Sequence, residues 1–184
     1  MKSALKKKLP LPKIYVMATY YVLFGSNMGD KEEIFANACL FINNRCGTIV
    51  RVSSAYESEP WGFEADVWFL NRVIVLETEL APEALLLELL DIERELGRVR
   101  RPEIEGYCSR TADLDILYYD DRVIDTPMLT VPHPRLHLRR FALVPMCELA
   151  PDLMHPVLLV TQTVLLEQCP DTGIVRLLPS LKNE

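Results

Sequence analysis

Apolar residues recur along the chain with two periods, one typical of strands and one typical of helices. Thr19–Phe24 is a short run rich in aromatic and β-branched residues, which predicts a strand. Lys31–Asn44 carries apolar residues at helical spacing and follows Asp30, a residue type that caps helix N-termini. The same patterns predict, in chain order, two strands, a helix and a fourth strand at Thr48–Tyr56, Phe69–Glu77, Glu83–Leu96 and Ala112–Tyr119.

The order strand–helix–strand–strand–helix–strand is typical of a split βαβ unit. We therefore expect an α+β fold with a ferredoxin-like core, in which helices pack on an antiparallel-rich sheet. Beyond this core, shorter pieces are predicted: a β-prone pair, an extended stretch, two helices and a last strand, at Val123-Ile124, Pro127–Pro134, Phe141–Leu149, Val160–Gln168 and Ile174–Leu178. Because this fold hosts many functions, function has to be argued from the site.

Length and composition indicate one globular domain. The chain has 184 residues, of which 49% are hydrophobic and 25% charged. We expect a disordered, lysine-rich N-terminal extension over residues 1–17 and a single domain over residues 18–184. No apolar run is long enough to cross a bilayer. The five cysteines form no CxxC pair, which argues against a disulfide framework or a structural zinc site and favours a cytoplasmic location.

Charge is distributed unevenly. The formal net charge of −6 argues against a nucleic-acid-binding protein. However, the stretch from Arg94 to Arg140 is rich in arginine and contains no lysine. Arginine binds phosphate oxygens in pairs, so the group as a whole favours an anionic ligand such as a polyphosphate. For any single arginine, a solvated and salt-bridged surface position is the better interpretation.

The sharpest local feature is the pair Asp113 and Asp115 in a predicted strand. Side chains alternate along a strand, so both carboxylates project to one face while Leu114 and Ile116 point the other way. Two neighbouring carboxylates repel each other unless a cation lies between them, and magnesium favours one or two carboxylates together with substrate phosphates. The alternative is that nearby arginines neutralise the pair.

Other residues are candidates for a binding site because of the residues next to them in the sequence. Arg98 and Arg100 would share a face of an extended segment and could clamp phosphate oxygens, although a helix C-terminus often carries arginine for other reasons. His133 lies between two prolines, which fixes its position near the arginines. Asn71 is an amide in an otherwise apolar strand, and a heterocycle would supply its hydrogen-bond partners. Trp61, Phe69 and Phe141 could hold such a ring, although aromatic residues are more often part of a core.

Taken together, these segments resemble the 6-hydroxymethyl-7,8-dihydropterin pyrophosphokinase family of the folate pathway. The resemblance extends from about Thr19 to Pro156. It rests on segments that occur in the family's order, at Phe24–Asp30, Phe69–Asn71, Gly97–Arg100, Arg110–Leu117, Val131–Pro134 and Arg139–Pro145.

The resemblance implies a ferredoxin-like core and transfer of pyrophosphate from ATP to the pterin hydroxymethyl group, with release of AMP. It implies that Asp113 and Asp115 bind two magnesium ions and that Arg98 and Arg110 act in catalysis. The nucleotide would contact Glu93, Arg100, Tyr107, Ile116, Thr130, His133 and Arg139. The pterin would stack between two phenylalanines and meet polar groups along its edge, at Ser58, Pro60, Trp61, Phe69, Asn71 and Phe141.

The chain departs from the family pattern in its second loop. An arginine followed by Trp-Gly-Pro is usual there, whereas this chain has Gly106-Tyr107-Cys108-Ser109, in which Tyr107 could replace the tryptophan. The altered loop is also compatible with a non-catalytic nucleotide- or pterin-binding relative. The ferredoxin-like fold would suit a module that binds RNA, but the acidic net charge and the absence of an aromatic RNP-like strand argue against it. We expect the loops Glu57–Trp68 and Arg98–Arg110 to be mobile. We also expect a monomer or weak dimer that binds neither nucleic acid nor membranes.

Overall fold

The fold has three layers, with an antiparallel sheet in the middle and helices on both of its faces. The computed structural model describes residues 17–63, 65–99 and 108–179. The strands are β1 (Ala18–Ser26), β2 (Thr48–Val52), β3 (Tyr56–Ser58), β4 (Phe69–Thr78), β5 (Asp113–Tyr119), β6 (Ile124–Asp125), β7 (Thr130–Val131) and β8 (Val175–Leu177). The helices are α1 (Lys31–Arg45), α2 (Pro82–Glu95), α3 (Arg140–Leu149) and α4 (Gln162–Glu167), with a short 3-10 helix at Leu136–Leu138. Residues 1–16, which make up most of the predicted N-terminal extension, and residues 100–107 lie outside the described residues.

The strand order is β5-β1-β4-β3-β8, with β2 also paired to β4, and all these pairs are antiparallel. Because β2 and β3 together occupy the place of one strand beside β4, the core has the ferredoxin-like arrangement that the order of elements predicted. The pair β6–β7 forms a separate two-stranded sheet. The predicted α+β class and ferredoxin-like core are therefore confirmed.

One predicted strand is interrupted. The segment Thr48–Tyr56 was expected to be continuous, but the chain leaves the ladder at Ser53–Ala55 and divides into β2 and β3. The Ser53 hydroxyl accepts a hydrogen bond from the Val73 N–H at 2.9 Å, and the Ser54 N–H donates to the carboxylate of Glu148. Serine side chains and their backbone can take partners outside the regular ladder in this way, and β-propensity alone does not reveal it.

Helix ends follow local chemistry. Asp30 caps α1 by accepting a hydrogen bond from the Glu33 N–H at 3.0 Å, as the sequence predicted. Pro82 occupies the first turn of α2, where its missing N–H has no cost. Gly97 follows α2 with a φ of +86°, a backbone conformation that glycine adopts most readily.

Both faces of the sheet carry helices. On one face, Tyr20, Val22 and Phe24 of β1 pack with α1 and α2 in the larger core. On the opposite face, α3 and α4 cover Val73 and Leu117, among others, in a second core. The sequence predicted helices on the sheet without assigning α3 to a face. Within the described ranges, no helix is long and apolar enough to cross a membrane.

This layering leaves part of the second face uncovered. Asp113 and Asp115 alternate with the buried Leu114 and Ile116, so they lie on the same face as α3. The sheet therefore presents two carboxylates at the edge of a core.

Candidate active site

Three strands form the floor of the site in one row. Gly25 of β1 is paired with Asn71 of β4 on one side and with Asp113 of β5 on the other. A Cβ atom at position 25 would lie 3.7 Å from Asn71 Oδ1 and 3.9 Å from both Asp113 Cβ and Phe69 Cδ1. Glycine therefore leaves an open floor between an amide and a carboxylate.

Two cavities meet above this floor. The aromatic cavity, with about 430 Å³ of empty space, is lined among others by Ser58, Trp61, Phe63, Phe69, Asn71 and Phe141. The arginine cavity, with about 930 Å³ that is partly open to solvent, is lined among others by Glu93, Arg98, Ile116, Thr130, His133 and Arg135. Four residues line both cavities: Arg110, Asp113, Asp115 and Arg139. The acidic pair thus lies where the two cavities join.

Arginines surround the acidic pair. Arg98 Nη1 lies 2.5 Å from Asp113 Oδ1, and Arg110 Nη1 lies 3.1 Å from Asp113 Oδ2. Arg139 Nη1 approaches Asp115 Oδ2 at 3.5 Å. The neutralisation by arginines that the sequence offered as the alternative is therefore present, and the pair also lines both cavities. Magnesium binding by this pair stays a prediction.

The arginines do not fully offset the cost of placing the second carboxylate here. Loss of water around Asp115 and repulsion from Asp113 raise the pKa of Asp115 to about 6, against the opposing effect of Arg139, Arg110 and Arg98. A divalent cation next to the pair would remove that repulsion. Two carboxylates together with phosphate and water oxygens are a donor set that suits magnesium. Among the described residues there is no group of three or more His, Cys, Asp or Glu, so these residues alone do not form a complete metal site.

His133 is a neutral neighbour of the acidic pair. Burial, with further effects of Arg139 and Arg135, lowers the pKa of His133 to about 4. Its Nδ1 accepts a hydrogen bond from the Arg135 N–H at 3.1 Å. Nε2 lies 3.4 Å from Arg139 Nη1 and 3.9 Å from Asp115 Oδ2, so this nitrogen faces the arginine cavity.

Glu93 holds Arg98 in position. Its carboxylate is buried and accepts a hydrogen bond from the Leu114 N–H at 2.8 Å. The same oxygen, Oε1, lies 2.6 Å from Arg98 Nη1. Glu93 therefore joins the end of α2 to β5 and orients a guanidinium toward Asp113.

The aromatic cavity combines flat rings with a buried amide. Trp61 and Phe141 lie 6.4 Å apart between ring centroids. The guanidinium carbon of Arg139 lies 5.1 Å from the Trp61 ring centroid, and that of Arg110 lies 5.7 Å from the Phe69 ring centroid. The amide of Asn71 donates to Ser58 Oγ at 2.9 Å. A flat heterocycle with polar edges matches these walls.

Most of the residues singled out from the sequence line these two cavities. Pro60 is different: it lines a smaller adjoining cavity together with Trp61 and Phe141. Arg100 and Tyr107 lie outside the described residues. Sequence reasoning missed Glu59 and Phe63 of the aromatic cavity and Arg135 of the arginine cavity. Their closeness to Trp61 and His133 in the chain was the available signal.

The fold and site define a class of ferredoxin-like proteins in which an arginine-lined cavity adjoins an aromatic-lined one. Residues 21–151 match the family model described as 7,8-dihydro-6-hydroxymethylpterin-pyrophosphokinase (HPPK). Since this match spans more than half of its length, the chain belongs to the HPPK family.

Individual relatives agree with the family match. The chain is 40% identical over 141 residues to the 2-amino-4-hydroxy-6-hydroxymethyldihydropteridine pyrophosphokinase of Aquifex aeolicus, covering 77% of this chain and 86% of that one. It is 39% identical over 164 residues to the protein of the same name from Haemophilus influenzae, covering 89% of this chain and all of that one.

Solved structures agree in fold. A Plasmodium falciparum HPPK-DHPS crystal structure matches with a TM-score of 0.70 at 15% identity, covering 85% of this chain. This chain spans 46% of that longer one, so the likeness concerns the HPPK-like fold alone.

Proposed function

We propose that the protein transfers a pyrophosphoryl group from ATP to the hydroxymethyl group of 6-hydroxymethyl-7,8-dihydropterin and releases AMP. The observation that carries this proposal is the junction of an aromatic cavity with an arginine cavity at Asp113 and Asp115. A pterin in the first cavity and a triphosphate in the second would meet there. The family to which the chain belongs points to the same reaction, a step of folate biosynthesis.

The bond changes define what the site must do. The pterin hydroxyl oxygen attacks the β-phosphorus of ATP, and the bond from that phosphorus to the oxygen shared with the α-phosphate breaks. AMP leaves with this oxygen, and the β- and γ-phosphates remain together on the product. Reactions of this kind depend on alignment and charge neutralisation more than on covalent help from the protein.

Asp113 and Asp115 would hold magnesium, which supplies charge neutralisation to the phosphates when bound. The requirement for magnesium and the presence of two ions are part of the proposal. The hydroxyl proton is lost as the new P–O bond forms, and the carboxylates shared by both cavities are the candidate acceptors.

Arginine side chains would bind the phosphates. Arg98 is held by Glu93 and Asp113 on the arginine-cavity side, while Arg110 and Arg139 line both cavities. Guanidinium groups at the junction can stabilise the negative charge that develops on AMP. Thr130, Ile116 and His133 would form the rest of the nucleotide site.

The pterin would lie between Phe69 and Phe141, with its edge toward Asn71 and Ser58. Both phenylalanines line the aromatic cavity, and the amide and hydroxyl are buried and already hydrogen-bonded to each other. The predicted closure of Glu57–Trp68 and Arg98–Arg110 involves residues 64 and 100–107, which lie outside the described residues. A cytoplasmic location is also proposed, and the five free cysteines support it.

The test is to incubate the protein with ATP, magnesium and 6-hydroxymethyl-7,8-dihydropterin and to separate the nucleotide products. AMP should form only when pterin is present, in equal amount to the pterin diphosphate. Formation of ADP would indicate a different phosphoryl transfer. Binding of both substrates without AMP would instead identify a non-catalytic relative.

A further inference from the structure

The N-terminus of α3, next to which Arg139 and Phe141 of the site lie, has no capping side chain from its own N-cap residue. α3 begins at Arg140, and the preceding Arg139 makes no side-chain capping hydrogen bond. Arginine has no acceptor atom, so it cannot fill this role. The first N–H groups of a helix have no partner within the helix and need an acceptor from elsewhere. Arg139 and Phe141, on either side of Arg140, both line the aromatic cavity.

A carboxylate from the C-terminal segment supplies that acceptor. Asp171 Oδ2 accepts a hydrogen bond from the Arg140 N–H at 3.0 Å. Its other oxygen, Oδ1, accepts from the Gly173 N–H at 2.9 Å, which fixes the carboxylate in its own loop. A carboxylate at this position also favours the partial positive charge of a helix N-terminus. Asp171 thus caps a helix that begins 31 residues earlier.

The same segment also holds the opposite side of the aromatic cavity. Glu59 accepts a hydrogen bond from the Ile174 N–H at 3.0 Å through its carboxylate, and β8 pairs Val175 with Ser58 of β3. A small cavity behind the aromatic wall is lined by Trp61, Phe141 and Asp171, among others. Asp171 therefore lies between the loop that carries Trp61 and the helix that carries Phe141.

We propose that Asp171 is a positioning residue for the pterin-binding wall. It fixes the N-terminus of α3 and through it Arg139 and Phe141, while itself lining neither of the two joined cavities. This role rests on the proposed function, because the wall is assigned to the pterin. Loss of the cap frees the first turn of α3, so the aromatic wall is no longer held ready for the ring.

Two substitutions of Asp171 remove its capping hydrogen bonds to different extents. Asp171→Ala removes both acceptors, whereas Asp171→Asn keeps one oxygen and replaces the other with an NH₂ group that cannot accept. Asp152→Ala is the matched control, because it removes one exposed carboxylate from the segment between α3 and α4 and lines none of the cavities described here. Thermal unfolding of all variants identifies any global loss of structure.

The measurements are pterin affinity, ATP affinity and amide exchange at Arg140–Leu143. In Asp171→Ala, pterin affinity should fall about 5–30-fold, the factor expected from the loss of a typical helix cap. ATP affinity should fall less, because only Arg139 among the proposed ATP contacts adjoins α3, whereas Glu93 and Arg98 lie at and after the end of α2. Amide exchange at Arg140–Leu143 should quicken. Asp171→Asn should lie between Asp171→Ala and wild type, and Asp152→Ala should match wild type.

Wild-type pterin affinity in Asp171→Ala would overturn the proposal. Equal losses for both ligands, accompanied by global unfolding in Asp171→Ala and Asp171→Asn, would also overturn it. Failure of the proposed function is distinguishable: the wild-type chain would then not bind pterin, while amide exchange at Arg140 would still decide whether Asp171 is the cap.

Discussion

Asp113 and Asp115 lie in an arrangement that is unfavourable for stability, because their carboxylates are close together and partly deprived of water. Both lie at the junction of the two cavities, where they contact three arginines and yet repel each other. The repulsion and the loss of water together outweigh the arginines at Asp115, as its raised pKa shows. A site retains such an arrangement when a ligand supplies the missing positive charge.

We expect Asp115→Asn to change how stability depends on pH without unfolding the protein. The pKa of Asp115 is raised from 3.8 to about 6, so the folded state holds this proton more tightly than the unfolded state. The stabilisation of the folded state by protonated Asp115 is fully present below about pH 3.8 and is lost as the pH rises through about 6. Without magnesium, the variant should therefore be at least as stable as wild type at pH 7.

Chemical unfolding of both proteins between pH 4 and 7.5 measures this difference. Asp152→Asn is a suitable control, since it removes an exposed carboxylate. A variant that is less stable than wild type at pH 7 but equal to it at pH 4 would contradict the assigned pKa.

Arg98→Ala should slow transfer by about 10–1000-fold, the loss typical of one electrostatic contact in an active site. Its guanidinium lies between the carboxylates of Glu93 and Asp113 at the arginine cavity. Arg94→Ala is the matched control, because Arg94 lies in the last turn of α2, shortly before Arg98, and its side chain is 69% exposed. Steady-state rates of AMP release compare the two, and an unchanged rate in Arg98→Ala would remove this residue from the site.

At the level of helices and strands, local sequence patterns predicted the positions of most elements and the direction of side chains along β5. Alternation placed Asp113 and Asp115 on one face of β5, and helical periodicity located α1, α2 and α3 to within a residue or two. Long-range arrangement was not predictable in this way. The packing of α3 on the second face, the pairing of β8 with β3 and the cap from Asp171 join residues far apart in the chain. Periodicity carries no information on such contacts, so Asp171 and the position of Phe141 required the structure.

The row Asn71–Gly25–Asp113 predicts a selective effect of Gly25→Ala. The new methyl group would stand on the floor at ordinary contact distances, so the three strands should fold normally. It would occupy space in the aromatic cavity, and pterin affinity should fall by about tenfold or more, the cost of misplacing a bound ring by a fraction of an ångström. ATP affinity and the thermal midpoint should stay near wild type, and unchanged pterin binding would contradict the assigned floor.

The turn between α3 and α4 predicts a second pH effect. His155 Nδ1 accepts hydrogen bonds from the N–H groups of Val157 and Leu158. Burial, with a further effect of His137, lowers the pKa of His155. The folded state therefore binds this proton less readily than the unfolded state, and stability decreases as the pH falls below about 6.5.

His155→Asn keeps an acceptor oxygen but cannot titrate, so its stability should vary less between pH 7.5 and 5 than that of wild type. Chemical unfolding at several pH values measures the slopes. Asp152→Asn is the control, since it removes an exposed carboxylate near this turn. His137 is unsuitable, because its charge also lowers the pKa of His155. Identical slopes in wild type and His155→Asn would contradict the assigned role.

The whole molecule places a basic site on an acidic protein. The chain has a formal net charge of −6, yet Arg98, Arg110 and Arg139 converge on the junction of the cavities. The sheet supplies the floor, α2 and β5 hold the arginine cavity, and α3 and β3 enclose the aromatic cavity. We expect a locally basic site of this kind to attract a compact polyphosphate.

The most direct measurement follows the phosphorus atoms of ATP by ³¹P nuclear magnetic resonance, with magnesium and 6-hydroxymethyl-7,8-dihydropterin, in wild type and Asp115→Asn. We predict that wild type produces AMP and a pterin that carries both the β- and the γ-phosphorus. The folded Asp115→Asn variant should lose this activity by a factor of about 100 or more. Wild-type activity in Asp115→Asn would contradict the central claim that the acidic pair at the junction of the cavities supports the transfer.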